Sequence, residues 1–68
     1  MDAYAQALNA YTAKQQEVYG LAALARTNPA PENQKDFRKA FAELHRLYDM
    51  VKLYANDNPL PAYPSPEE

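Results

Sequence analysis

The positions of the six prolines decide which parts of this 68-residue chain can be helical. Residues 2–27 contain no proline and are rich in alanine, which loses no side-chain entropy in a helix. The prolines of residues 28–31 (NPAP) end that segment, because a residue before proline avoids the α-helical region. We therefore predict a first helix over about residues 2–27, with Asp2 placed where its charge favours the helix dipole.

A second helix is predicted over about residues 32–56. The sequence allows two starting points for this helix. Pro31 suits the first helical position, whereas Asn33, with Asp36 three residues later, suits a helix cap. The pair Asn58-Pro59 stops the helix.

The C-terminal residues differ in composition from the rest of the chain. Four prolines in residues 58–68, which we call the tail, favour polyproline II or irregular coil. Residues 1–56 carry seven basic and six acidic groups, and three further acidic groups follow them. The chain is thus predicted to comprise a near-neutral hairpin over residues 1–57 and an acidic, Pro-rich tail over residues 58–68.

Apolar residues recur at alternating intervals of three and four, which is typical of one helix face. In the first helix this seam comprises Tyr4, Leu8, Tyr11, Gln15, Val18, Ala22 and Ala25. In the second it comprises Phe37, Phe41, Leu44, Tyr48, Val51 and Ala55. The two seams match in a single antiparallel register, with Tyr11 opposite Tyr48 and Phe41 buried. We therefore predict an all-α, antiparallel two-helix hairpin with an extended tail, in which the amide of Gln15 reaches water at the rim.

The second helix has more apolar surface than the first can cover, because Ala40 and further large residues widen its stripe. A second copy, the tail or another protein is expected to cover it, and we predict a four-helix-bundle homodimer. The predicted partner-binding residues are Leu47, Met50, Leu53, Tyr54, Leu60 and Tyr63.

The tail contains the segment Leu60-Pro61-Ala62-Tyr63, which resembles the LPxY variant of the peptides that WW domains bind. Such domains bind polyproline II segments in aromatic grooves. The competing interpretation, which we favour, is a tail held by a partner or folded back over Tyr4, Leu8 and Tyr54.

Residues suited to chemistry are few. The chain has no Cys, and its one Ser, Ser65, lies in the tail, so a nucleophilic enzyme is not expected. The one His, His45, has Asp49 four residues on, which predicts a surface pair with no metal or cofactor. The sequence shows neither an apolar run near 18 residues nor a signal peptide, so we expect a cytoplasmic protein without a membrane partner.

The function that these features favour is a small non-enzymatic protein-interaction module. It would be an adaptor or inhibitor of a larger protein, in the style of phage or bacterial accessory proteins. One alternative is a nucleic-acid-binding hairpin dimer whose architecture resembles the RNA-binding four-helix bundle Rop, using Lys35, Arg38, Lys39, Arg46 and Lys52. Another is a ligand-sequestering oligomer with a pocket lined by several of the six tyrosines.

Overall fold

Two helices make up the fold. The computed structural model describes residues 2–64, and within that range its elements are α1, Ala3–Thr27, and α2, Pro31–Ala55. The predicted all-α hairpin is confirmed, and the helix ends lie within one residue of their predicted positions. The interpretations that concern Ser65 and the acidic end of the tail lie outside the described residues.

Both helix starts have a local cause. Asp2 caps α1, because its Oδ1 accepts a hydrogen bond from the backbone N–H of Tyr4 at 3.1 Å. Pro31 is the first residue of α2, so the alternative in which Asn33 caps that helix is wrong. Asn33 instead donates from Nδ2 to the carbonyl oxygen of Asn28 at 2.9 Å, which ties the connection together.

The core lies along the contact between the helices. Its fully buried large side chains are Tyr11 and Val18 from α1 and Leu44 and Val51 from α2. The rings of Tyr11 and Tyr48 lie 5.7 Å apart, as the predicted register requires. Burying each aliphatic side chain of this kind stabilises the fold by about 1.5–3 kcal/mol.

The buried face of α2 is rotated slightly from the predicted seam. Ala40 is buried, whereas Phe37 and Phe41 are only half-buried and stack on each other with ring centroids 5.6 Å apart. The expectation that Phe41 is fully buried is therefore wrong. A small alanine lets two helix backbones come close, and the larger rings then pack along the side of the contact.

Polar groups beside the core are paired. Gln15 is half-buried and donates from Nε2 to the hydroxyl oxygen of Tyr19 at 3.0 Å. The ammonium of Lys14 lies 3.2 Å from Glu17 on its own helix and 3.3 Å from Glu43 on α2. These bonds, that to Glu17 foremost, raise the pKa of Lys14. Because both carboxylates are substantially exposed, the ion pairs contribute little to stability.

All helical residues of the described part of the chain lie in α1 and α2. Neither helix has an apolar stretch long enough to cross a membrane.

Replacing Leu44 by Ala tests the location of the core. Leu44 is fully buried, so Leu44→Ala is expected to lower the free energy of unfolding by about 2–5 kcal/mol. Leu24 is 44% exposed and is not among the predicted partner-binding residues, so Leu24→Ala is expected to change it by no more than about 0.5 kcal/mol. Urea denaturation followed by circular dichroism measures both variants, and equal losses would show that the core is misplaced.

Candidate functional site

The hairpin has two unlike sides. Successive helix residues are rotated by about 100°, so the positions flanking the buried face of each helix fall to its left or right. On one side Tyr4 and Tyr11 of α1 and His45 and Tyr48 of α2 contact the tail, and we call this the tail side. We call the opposite side the open side.

The tail is held to α1 by two tyrosine hydroxyls. Tyr4 donates a hydrogen bond from its hydroxyl to the carbonyl oxygen of Pro59. Tyr11 donates in the same way to the carbonyl oxygen of Ala62 at 2.7 Å. Since proline has no N–H, a proline-rich segment is best held by donors that reach its carbonyl groups.

The tail is held to α2 by aromatic contacts. The ring of Tyr63 meets His45 at 5.4 Å and Tyr48 at 5.3 Å, both nearly edge to face. His45 also meets the ring of Phe41 at 4.6 Å and 90°. Edge-to-face packing is favourable because the positive edge of one ring faces the negative face of the other. His45 is thus part of an aromatic cluster that includes the tail.

A short turn directs the tail onto this side. Asn56, directly after α2, has φ of 52° and ψ of -111°, the positive-φ conformation of the second residue of a type II′ turn, where Gly, Asn and Asp predominate. The N–H of Asn58 donates to the carbonyl oxygen of Ala55 at 2.8 Å. Since Pro59 lies at Tyr4 and Ala62 at Tyr11, the tail then runs parallel to α1.

The predicted partner-binding residues divide between the two sides. Leu47, Met50 and Tyr54 line a groove of the open side, together with Ala3, Ala7 and Ala10 of α1. Leu53, 69% exposed, lies beside the groove on the outer surface of α2. Leu60 and Tyr63 belong to the tail and are 45% and 60% exposed. The structure therefore does not bring the six residues together into one surface.

The expected fold-back contacts are correct in part. Tyr4 does contact the tail. The expected contact with Tyr54 is wrong, because Tyr54 lines the groove of the open side, while Tyr63 packs against His45 and Tyr48.

The open side has an apolar half and a charged half. The apolar groove, about 270 Å³, lies at the end where α1 begins and α2 finishes. A second groove, about 350 Å³, lies towards the helix connection. Its lining comprises Glu17, Leu21, Asp36, Lys39, Ala40 and Glu43. The ion pair of Lys14 with Glu43 lies between the two halves.

The structure also shows where the residues of the two alternative functions lie. The five basic candidates, Lys35, Arg38, Lys39, Arg46 and Lys52, are all exposed. Lys39 shares its groove with three carboxylates, those of Glu17, Asp36 and Glu43, and the helical rotation places Asp49 among the other basic residues. Of the tyrosines proposed to line a ligand pocket, Tyr4, Tyr11 and Tyr48 contact the tail. Within residues 2–64, no three or more His, Asp or Glu side chains come together as metal ligands.

His45, predicted to form a surface pair with Asp49, is instead half-buried, and its ring packs against Phe41 and Tyr63. The hydroxyls of Tyr4 and Tyr11 have no role in the sequence-based prediction. A signal for the hydroxyls is present in the sequence, because the two tyrosines are seven residues apart on one helix face and the tail is proline-rich. His45 carries no comparable signal, since its aromatic contacts depend on where Tyr63 lies.

Tyr11 links the core to the tail, and its titration reflects this. Burial of the side chain, with smaller contributions from Tyr19 and Tyr48, raises the pKa of Tyr11 above 10.0. The folded state therefore keeps the proton that the unfolded state loses. The resulting stability is complete below the unfolded pKa and is lost as the pH rises through the folded pKa.

Replacing Tyr11 by Phe tests this link. At neutral pH, Tyr11→Phe is expected to lower the free energy of unfolding by about 0.5–1.5 kcal/mol, because the hydrogen bond to Ala62 is lost. Above pH 10 the variant should lose less stability than the wild type as the pH rises. Leu24→Ala, which removes no titratable group, is the control and should retain the wild-type alkaline profile. Urea denaturation at several pH values measures this, and identical profiles for Tyr11→Phe and the wild type would contradict the assignment.

Comparison with protein-family models, curated proteins and solved structures finds no match to this chain. We therefore argue function from the chemistry of the tail side and the open side.

Proposed function

We propose that the chain is a small, non-enzymatic protein-interaction module that binds through the apolar groove of its open side. In this proposal it forms a homodimeric four-helix bundle or, in the same manner, receives a helix of a larger protein. The phage or bacterial accessory proteins that act as adaptors or inhibitors are the class that this description fits.

The observation that carries the proposal is a contiguous run of exposed apolar side chains on α2. Met50, Leu53 and Tyr54 lie within about one helical turn and are 41%, 69% and 39% exposed. Single exposed apolar residues are ordinary on protein surfaces. Apolar residues that adjoin a groove with an alanine floor are typical of an interaction surface.

The form of the groove favours a helix as its occupant. Ala3, Ala7 and Ala10 recur at helical spacing along α1, so their low side chains leave room for another backbone to approach. The larger side chains of α2 form one wall. An amphipathic helix lying in such a groove would place its own apolar residues on the alanines.

The division of the open side restricts how two copies can pair. When the two copies overlap along their full length, a symmetry axis perpendicular to the hairpin would place the apolar half of one copy on the charged half of the other. An axis along the hairpin places apolar half on apolar half. We therefore propose a parallel dimer, in which both helix connections lie at the same end.

The oligomeric state tests self-association. Light scattering coupled to size exclusion is expected to give about twice the 7.7 kDa chain mass. Met50→Gln/Leu53→Gln should reduce the mass to that of one chain without loss of helical circular dichroism. Leu24→Gln is the matched control, because Leu24 is similarly exposed at 44% but lies near the other end of α1, and this variant should remain dimeric.

A wild-type chain that stays monomeric at millimolar concentration would contradict the dimer. A photo-crosslinking residue at position 53, compared with one at the exposed position 9 on the outer face of α1, then tests the larger partner in host extract. A crosslink specific to position 53 supports binding at the groove. Equal crosslinking at both positions, or a nucleic-acid complex that weakens steeply with salt, would overturn the proposal.

A further inference from the structure

The contacts of the tail repeat every three residues. Pro59 and Ala62 accept the two hydrogen bonds from tyrosine hydroxyls. Pro61 is half-buried and Pro64 is buried, whereas Leu60 and Tyr63 are 45% and 60% exposed. Polyproline II has three residues per turn, and in that conformation each of these pairs falls on one edge. The first edge presents carbonyls to α1 and the second is covered by the hairpin. The third is partly exposed, with the ring of Tyr63 against His45 and Tyr48.

The spacing of the two tyrosines matches one turn of that helix. Tyr4 and Tyr11 are seven residues apart, which is about 10.5 Å along an α-helix. Pro59 and Ala62 are three residues apart, which is about 9.3 Å along polyproline II. Two donors on one face of α1 therefore reach equivalent carbonyls of successive turns. The position seven residues after Tyr11 on α1 is Val18, which has no side-chain donor. The tyrosine hydroxyls therefore span one polyproline II turn of the bound segment.

We propose that Tyr4, Tyr11, His45 and Tyr48 form a binding site for a polyproline II segment, and that a proline-rich segment of another protein can replace the tail there. The hydroxyls bind backbone carbonyls, and two prolines three residues apart face the hairpin. A tyrosine directly before the second proline packs against His45 and Tyr48. The preferred ligand is therefore an extended segment with the pattern Pro-x-Tyr-Pro. This site is separate from the open-side groove and does not depend on the function proposed for that groove.

The way in which the tail is held permits its replacement. Both hydrogen bonds that hold residues 59–62 to α1 come from tyrosine side chains. Leu60 and Tyr63 remain 45% and 60% exposed, so the hairpin covers only part of residues 59–64. The tail nevertheless has the advantage of covalent attachment, which gives it a high effective concentration at the site. An external ligand is therefore expected to bind weakly to the wild-type chain and more tightly when the tail is weakened.

The probe for the experiment is a synthetic peptide of residues 58–64 (NPLPAYP). It is titrated into the full chain carrying Pro61→Gly/Pro64→Gly, and the aromatic resonances are followed by nuclear magnetic resonance. The rings of His45 and Tyr48 are expected to shift while that of Tyr54 does not. The wild-type chain should bind the peptide at least about tenfold more weakly, because its own tail occupies the site.

Two controls test the chemistry. Adding Tyr11→Phe to the double variant should weaken binding by about two- to tenfold, since one hydroxyl–carbonyl bond is lost. A peptide with alanine in place of the prolines at positions 61 and 64 should bind several-fold more weakly. The open-side variant Met50→Gln/Leu53→Gln, combined with the weakened tail, should bind the probe as before, which separates this proposal from that for the groove.

Shifts confined to Tyr54 and the open side, or equal binding of the alanine peptide, would overturn the proposal. So would the absence of shifts at His45 and Tyr48 with millimolar peptide. If the double variant loses its helical circular dichroism, the same titration is made with the wild-type chain. In that case shifts at both rings with millimolar peptide support the proposal, and their absence overturns it.

Discussion

The rest of the structure depends on the position of Tyr11. Its ring is fully buried in the contact between the helices and lies 5.7 Å from that of Tyr48, while its hydroxyl reaches the edge of that contact and binds Ala62. One side chain thus contributes to the core of the hairpin and to the attachment of the tail. Because the tail occupies the side on which this hydroxyl emerges, the opposite side is the one on which the groove stays open.

The folded-back tail adds contacts that a chain this small otherwise lacks. A chain of 68 residues buries a smaller fraction of its unfolded surface than a larger domain does, about 60%, and has no disulfide to compensate. Folding the tail back adds two hydrogen bonds and a set of aromatic contacts without a further helix. The two surfaces that result are chemically unlike. The tail side offers tyrosine hydroxyls to an extended segment, and the groove of the open side offers apolar contact to a helix.

The helices were predictable because their determinants are local. Proline positions and the capping residue Asp2 place the ends, and the three-four spacing defines the apolar faces. The rotation of α2 that buries Ala40 and leaves Phe41 half-buried was not predictable, since it depends on how closely the two helix backbones approach. Periodicity assigns a face to a residue but does not measure that distance.

The tail was harder to predict for a different reason. Its bonds join Tyr4 to Pro59 and Tyr11 to Ala62, which are more than 50 residues apart in the chain. A fold-back remained one of two interpretations, because no periodic pattern in the tail specifies the side of the hairpin on which it lies. That choice follows from the turn at Asn56 and from which hydroxyls emerge beside the core. The sequence predicts the groove of the open side only as excess apolar surface. Its location away from the tail follows from the side of the hairpin on which the tail lies.

The most direct test of this account is the position of Tyr63 in solution. Nuclear Overhauser effects in the full wild-type chain should join the ring protons of Tyr63 to those of His45 and Tyr48, whose centroids lie 5.4 and 5.3 Å away. The ring resonances of Tyr63 should also depart from random-coil values. Sharp, random-coil resonances for Tyr63 without these effects, or effects that join it to Tyr54, would contradict the division of the hairpin into a tail side and an open side.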